Sequence, residues 1–144
     1  MMIRTPGAYR PQADTRLLTE AMSGAGIPSH SRVLDVCTGT GALAIAGARH
    51  RPASVTAVDI SRRALAAARL NSRLRGLDIE FIHGDFRTAL RGRRFDAVVA
   101  NPPYVPCADG APPRGAARSW DAGADGRTAV DSLCRLAPEL LSDT

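Results

Sequence analysis

The chain has 144 residues, 44% of them apolar and 4% aromatic, with nineteen basic side chains against fourteen acidic ones. That length suits one domain around one core, and no run approaches the ~20 apolar residues of a membrane-spanning helix. The opening Met-Met-Ile-Arg-Thr-Pro-Gly has no apolar centre of the kind a secretion signal needs, so a cytoplasmic setting is expected.

The predicted elements follow in chain order. Residues Gly7 to Thr15 read as a loop, and a helix follows with Asp14 as its N-cap and Leu17, Leu18, Ala21 and Met22 as its apolar stripe. Gly24, Gly26 and Pro28 end it. Arg32–Val36 is a short buried strand, Cys37–Gly41 a turn, and Ala42–Arg49 a helix closed by Pro52. Ser54–Asp59 gives a second strand, and Ser61 caps a helix from Arg62 to about Arg75 that Gly76 ends. Asp78–His83 alternates as a third strand, and Phe86–Leu90 leads to a fourth at Phe95–Ala100. The segment from Pro102 to Arg127 is loop-like. A last helix carries Val130, Leu133, Leu136, Leu140 and Leu141 on one face, with Pro138 expected to kink or divide it. Strands alternating with helices at this spacing indicate a doubly wound, mostly parallel α/β sheet.

Every basic residue is arginine, in keeping with GC-rich coding, and the net charge of +5 permits nucleic-acid binding without requiring it. The densest basic segment, Arg87 to Arg94, lacks interleaved aromatics and reads as a solvated loop. Cys37, Cys107 and Cys134, with His30, His50 and His83, form no ligand pattern, so neither a disulfide framework nor a metal site is indicated.

Three strand ends carry an acid: Asp35 within the first, Asp59 closing the second, Asp85 just past the third. Parallel α/β folds bind ligands at these ends. Gly39 and Gly41 let the backbone of a strand-to-helix turn approach a ligand, and Asp59, eighteen residues beyond Gly41, is placed for both hydroxyls of a ribose. Gly39-x-Gly41-x-x-Ala44 also matches a loose dinucleotide fingerprint. Asp35, four residues before Gly39, argues against a dehydrogenase, because a carboxylate there repels a pyrophosphate and welcomes a cation. Asp85 suits the exocyclic amine of an adenine, with Phe86 packing on the ring. An adenosyl ligand with a cationic tail is S-adenosylmethionine.

Asn101-Pro102-Pro103-Tyr104 follows the fourth strand directly. Neither proline has an N–H, so the carbonyls here are open to a ligand. The Asn101 side-chain oxygen and the Pro102 carbonyl can take both N–H bonds of an amino group, while Tyr104 stacks on the flat group that carries it. This arrangement turns a delocalised amide or aniline-like nitrogen toward tetrahedral geometry and aims its lone pair. No strong general base is evident.

With these motifs, the chain resembles class I S-adenosylmethionine-dependent methyltransferases. Within them it is similar to the HemK family, which methylates a glutamine side chain of translation release factors. The likeness is to a short branch without the separate N-terminal helical domain. Tyr9-Arg-Pro-Gln-Ala-Asp-Thr15 resembles that branch's opening motif, and Ser119-Trp-Asp-Ala-Gly-Ala-Asp-Gly-Arg127 its segment after the acceptor loop. The resemblance implies a Rossmann-like methyltransferase sheet. It also implies cofactor contacts from Thr15, Asp35, Cys37, Gly39, Asp59, Asp85 and Phe86, and acceptor contacts from Asn101, Pro102 and Tyr104; Gly41 and Asn101 are expected at the cofactor as well, and Pro103 in the acceptor turn. Cys37 departs from the family, which usually has glycine there.

The family's sheet has seven strands, and four are legible here. One domain is therefore expected over residues 1–144, with an N-terminal loop and helix over 1–30, a cofactor-binding core over 31–100 and an acceptor loop and last helix over 101–144. The fold's remaining strands are expected to lie outside this chain or in a partner chain that completes the sheet. The rival expectations are a DNA or RNA amino-methyltransferase acting on adenine N6 or guanine N2, and an inactive fragment.

Overall fold

The computed structural model describes residues 2–3, 13–50, 54–106 and 124–143. The strands β1 (Arg32–Val36), β2 (Ser54–Asp59), β3 (Glu80–His83) and β4 (Ala97–Ala100) form one parallel sheet in the order β3-β2-β1-β4. Between them run α2 (Ala42–Ala48), α3 (Arg62–Arg73) and the single turn α4 (Phe86–Ala89). The helices α1 (Ala13–Gly24) and α5 (Thr128–Leu140) flank them in sequence.

Alternation along the central strands decides which helix goes where. Val33, Val55 and Ala57 point to one face, where Ala44 and Ile45 of α2 and Ile79 meet them. Leu34, Val36 and Val58 point to the other, where Leu90, Phe95 and Leu140 form the second core layer with Leu133 and Leu136 of α5. Covered on both faces, β1 and β2 bury their apolar residues on either side, and bury Asp35 and Thr56 with them. The methyl end of Met22 on α1 lies 3.3 Å from where a Cβ on Gly47 would stand, so α1 leans on α2. Leu34 is wholly buried between two strands and the second core layer. Leu34→Ala should therefore lower unfolding stability by about 3–5 kcal/mol, read as a lower urea midpoint with an unchanged slope.

Several boundaries differ from the pattern in the sequence. The third strand begins at Glu80 and the fourth at Ala97. Phe95 instead pairs outside the strand: its N–H donates to the Leu140 carbonyl and its own carbonyl accepts from Ser142 N–H, each at 2.8 Å. Leu141 has thus left the helix, is extended and sits half out in solvent, so it is not part of the apolar face of α5. Pro138 does not divide α5, which continues through it to Leu140. Asp14 lies inside the first turn of α1 and is not its N-cap. Ser61 does cap α3, accepting from Ala64 N–H at 3.2 Å.

The Arg87–Arg94 segment is more than a solvated loop. Arg93 binds both carboxylate oxygens of Glu80 and lies over the Phe95 ring, and Arg94 donates to the Leu141 carbonyl at 2.7 Å. These contacts fasten the α4–β4 connection to β3 on one side and to the end of α5 on the other. Among the described residues no helix is long and apolar enough to cross a membrane, and no group of three or more His, Cys, Asp or Glu side chains could hold a metal ion.

Candidate functional site

The chain leaves β1 toward β2 and β3, then returns to β4 on the opposite side of β1. Loops that diverge from two neighbouring strands open a crevice at their carboxyl ends, and ligands of doubly wound sheets bind there. Val36 is level with Ala100 across β1–β4 and with Val58 across β1–β2, while Asp59 is level with His83. One rim of the sheet therefore carries Asp85, Asp59, the Cys37–Gly41 turn and Asn101 in order. The sequence-predicted acids and the acceptor motif come together along it.

The turn after β1 is built on three left-handed residues: Cys37 at φ 60°, Gly39 at 56° and Gly41 at 84°. A Cβ on Gly39 would meet no atom within 4 Å, so the need there is conformational and the space above it is open. Gly41 differs, because a Cβ would come within 3.0 Å of the Ala68 Cβ on α3. Its bareness lets α2 start against α3.

Asp35 is fully buried beneath this turn. Its Oδ2 accepts from Thr38 Oγ1 at 2.6 Å and from Ala44 N–H at 2.9 Å, which holds the turn to the first residues of α2. Its Oδ1 has no hydrogen-bond partner among the described residues. Burial pushes the carboxyl up to about 7, against the pull of those two hydrogen bonds, with the Asp59 carboxylate adding to the rise. A buried carboxylate oxygen without a donor is costly, and a cation nearby relieves the cost. This carboxylate fits a ligand that carries positive charge.

Asp59 holds the rim together. Its Oδ2 accepts from Gly39 N–H and its Oδ1 from Ser61 N–H, both at 2.8 Å. Burial raises its carboxyl above the ordinary range. Asp85 caps α4 through Arg87 N–H and is also gripped by the Arg87 guanidinium, which holds its carboxyl low. Phe86, next to it, packs into the second core layer beside Leu90.

Cys37 lies in the field of all three carboxylates. Burial first, then Asp59, Asp35 and Asp85, push its thiol up to about 12. A thiol that stays protonated is a poor nucleophile, so the departure from glycine adds no reactive group. At pH 8, iodoacetamide should modify the exposed Cys134 in the folded protein and leave Cys37 intact; mass spectrometry of the labelled peptides reads this directly. Cys107 lies outside the described residues.

On the acceptor side, Asn101 Nδ2 donates to Asp14 Oδ2 at 3.0 Å, and Tyr104 Oη donates to the same oxygen at 2.9 Å. A carboxylate only accepts, so Nδ2 must face Asp14, and Oδ1 is the end of the amide that can accept from a ligand. Pro102 and Pro103 are half-buried and the Tyr104 ring is half-exposed. Behind them the loop is tight: a Cβ on Gly126 would stand 2.5 Å from the Tyr104 carbonyl oxygen. Thr15, buried at the start of α1, bonds through its N–H to Asp14 Oδ1 at 2.7 Å. Sequence reasoning took Asp14 for a helix cap and Gly126 for a loop residue. The one local signal for Asp14 was its place beside Thr15 in the opening motif; nothing local marks Gly126. Residues 9–12 and 119–123 of the two flanking motifs and Pro52 lie outside the described residues.

Comparison with known proteins bears on the family and the fold. The family model described as methyltransferase small domain matches residues 7–110. A release factor glutamine methyltransferase of Moorella thermoacetica is 43% identical over 108 residues, covering 72% of this chain and 38% of that protein. A ribosomal protein uL3 glutamine methyltransferase of Bradyrhizobium diazoefficiens is 44% identical over 119 residues, covering 77% of this chain and 37% of that protein. Among solved structures, a T. thermophilus 16S rRNA methyltransferase in complex with AdoMet and guanosine superposes with a TM-score of 0.65 at 27% identity, over 71% of this chain and 29% of that one. The chain thus spans well under two thirds of these relatives' length. It is a doubly wound methyltransferase sheet in its strand order and in its neighbours alike. The chain belongs to the methyltransferase small domain family.

Proposed function

We propose that this domain transfers a methyl group from S-adenosylmethionine to an amide nitrogen, the side chain of a glutamine in a translation release factor, in the cytoplasm. The observation that carries the proposal is the β1–β4 register, which starts the Cys37 turn and the Asn101 motif side by side at the carboxyl edge of the sheet. Asp59 has the position for ribose hydroxyls and Asp85 for an adenine amine. Asp35 and its unpartnered oxygen supply the negative end for the cationic tail. Thr15, at the start of α1, reaches the same cofactor. The bound cofactor supplies an electrophilic methyl on a sulfonium.

The chain's own residues do the rest by positioning. Asn101 Oδ1 accepts one N–H of the acceptor amide and the Pro102 carbonyl the other. Both bonds draw the nitrogen out of conjugation and point its lone pair along the line of displacement. Pro103 fixes the turn, and the Tyr104 ring covers the flat amide. Orientation of this kind is worth on the order of 7–11 kcal/mol in favourable cases. The proton released from the methylated amide passes to solvent, so no side chain need act as base.

The relatives' names support a glutamine acceptor and divide between a release factor and a ribosomal protein. Incubating the protein with methyl-labelled S-adenosylmethionine and, separately, purified release factor, ribosomal protein uL3 and 16S rRNA tests the acceptor. Label on the release factor is expected. Label on RNA alone would replace the amide by a nucleobase amine as the acceptor.

A further inference from the structure

Asp14 is the point where the N-terminal helix and the acceptor loop meet, across 87 residues of sequence. One carboxylate oxygen takes hydrogen bonds from both Asn101 and Tyr104, while the other holds the N–H of Thr15. An asparagine amide can flip end for end at little cost, and only one of its two orientations offers an acceptor to an incoming N–H. A negative acceptor bound to Nδ2 penalises the wrong orientation, because Oδ1 would then face a carboxylate. The same oxygen fixes the Tyr104 ring by its hydroxyl. Behind the motif, Gly126 admits the Tyr104 carbonyl at a distance no other residue allows, so the loop is held from both sides.

We infer that Asp14 is a positioning residue of the acceptor site, locking the Asn101 amide in the orientation that receives the substrate N–H and seating Tyr104 beside it. The inference rests on the methyl-transfer reading for its role in turnover, but the lock itself is a property of the protein alone. It also ties Thr15, on the cofactor side, to the acceptor loop through one side chain.

Asp14→Ala and Asp14→Asn are compared with the wild-type protein in three measurements. The first is the side-chain amide resonances of Asn101 by NMR. The second is S-adenosylmethionine affinity by calorimetry, and the third is kcat and KM for release factor. In Asp14→Ala, the Asn101 amide resonances should move and the cofactor affinity should change less than threefold. The value of kcat/KM should fall about tenfold to a hundredfold, as expected for loss of hydrogen bonds to a charged group. Asp14→Asn keeps an accepting oxygen and should fall between the two. A merely structural role would lower thermal stability and cofactor affinity together and spare kcat in the folded fraction, which would overturn the inference. So would unmoved Asn101 resonances, whatever the activity. A wild-type protein that methylates nothing, yet loses the Asn101 signal positions in Asp14→Ala, would sink the methyl-transfer reading and leave the lock standing.

Discussion

Asn101→Ala is expected to lower kcat for methyl transfer by about a hundredfold to a thousandfold, the usual effect of removing one preorganised hydrogen-bonding group from a reacting centre. The loss should fall on kcat, because the bond between Asn101 Oδ1 and the acceptor N–H matters most as the nitrogen leaves conjugation. Affinity for S-adenosylmethionine should stay within a few-fold of wild type, since Asp35, Asp59 and Asp85 belong to the other three strands and their ends. Single-turnover kinetics beside calorimetry separates the two quantities. The fold should tolerate the change, because Asn101 is only half-buried and its hydrogen-bond partner, Asp14, is half-buried at the start of α1.

Asp35→Asn should move stability and cofactor binding in opposite directions. The folded carboxyl is raised to about 7 from 3.8 by burial, so between about pH 4 and pH 7 the folded chain holds a proton that the unfolded chain has released. Stability contributed by the protonated form is therefore complete below about pH 4 and lost by about pH 7, on the order of 4 kcal/mol for a shift of that size. Asparagine does not titrate. At pH 8 the variant should melt several degrees above wild type, and the gap should close as the pH is lowered toward 4. The cationic ligand, in contrast, needs the ionised carboxylate. Cofactor affinity of the variant should fall about tenfold or more. In the wild-type protein, affinity should weaken by up to about tenfold per pH unit below 7, with proton release on binding. Thermal melts and calorimetry across pH 5 to 8 would expose an error in either direction.

The sheet was legible because each strand advertises itself. Arg32–Val36 and Ser54–Asp59 are short, Val-rich segments between turn signals, the pattern of a buried strand, and both match the structure residue for residue. The rim acids were legible for the same reason: once the strands are placed, Asp59, Asp85 and Asn101 must fall at their carboxyl ends. What the sequence hides is what crosses it. Asp14 looks like a helix cap because capping and tertiary bonding use the same carboxylate oxygens, and only the fold brings Asn101 to it. Asn71 looks like an ordinary residue of α3, yet it is wholly buried and bonds both the N–H and the carbonyl of Ile3 and the Thr40 carbonyl. Arg93 and Arg94 look like charge for solvation until Glu80 and the Leu141 carbonyl are seen beside them. The third and fourth strands were begun too early, since the alternation starts before the first paired residue, and Phe95 pairs instead with Leu141.

The most direct test is to locate the methyl group. The intact protein is incubated with S-adenosylmethionine and release factor, and the factor's peptides are sequenced by tandem mass spectrometry. One added methyl on a single glutamine side-chain nitrogen, absent when Asn101→Ala replaces the wild-type protein, is the predicted result. A methyl on any other atom of the factor, or one that survives the loss of Asn101, would contradict the account.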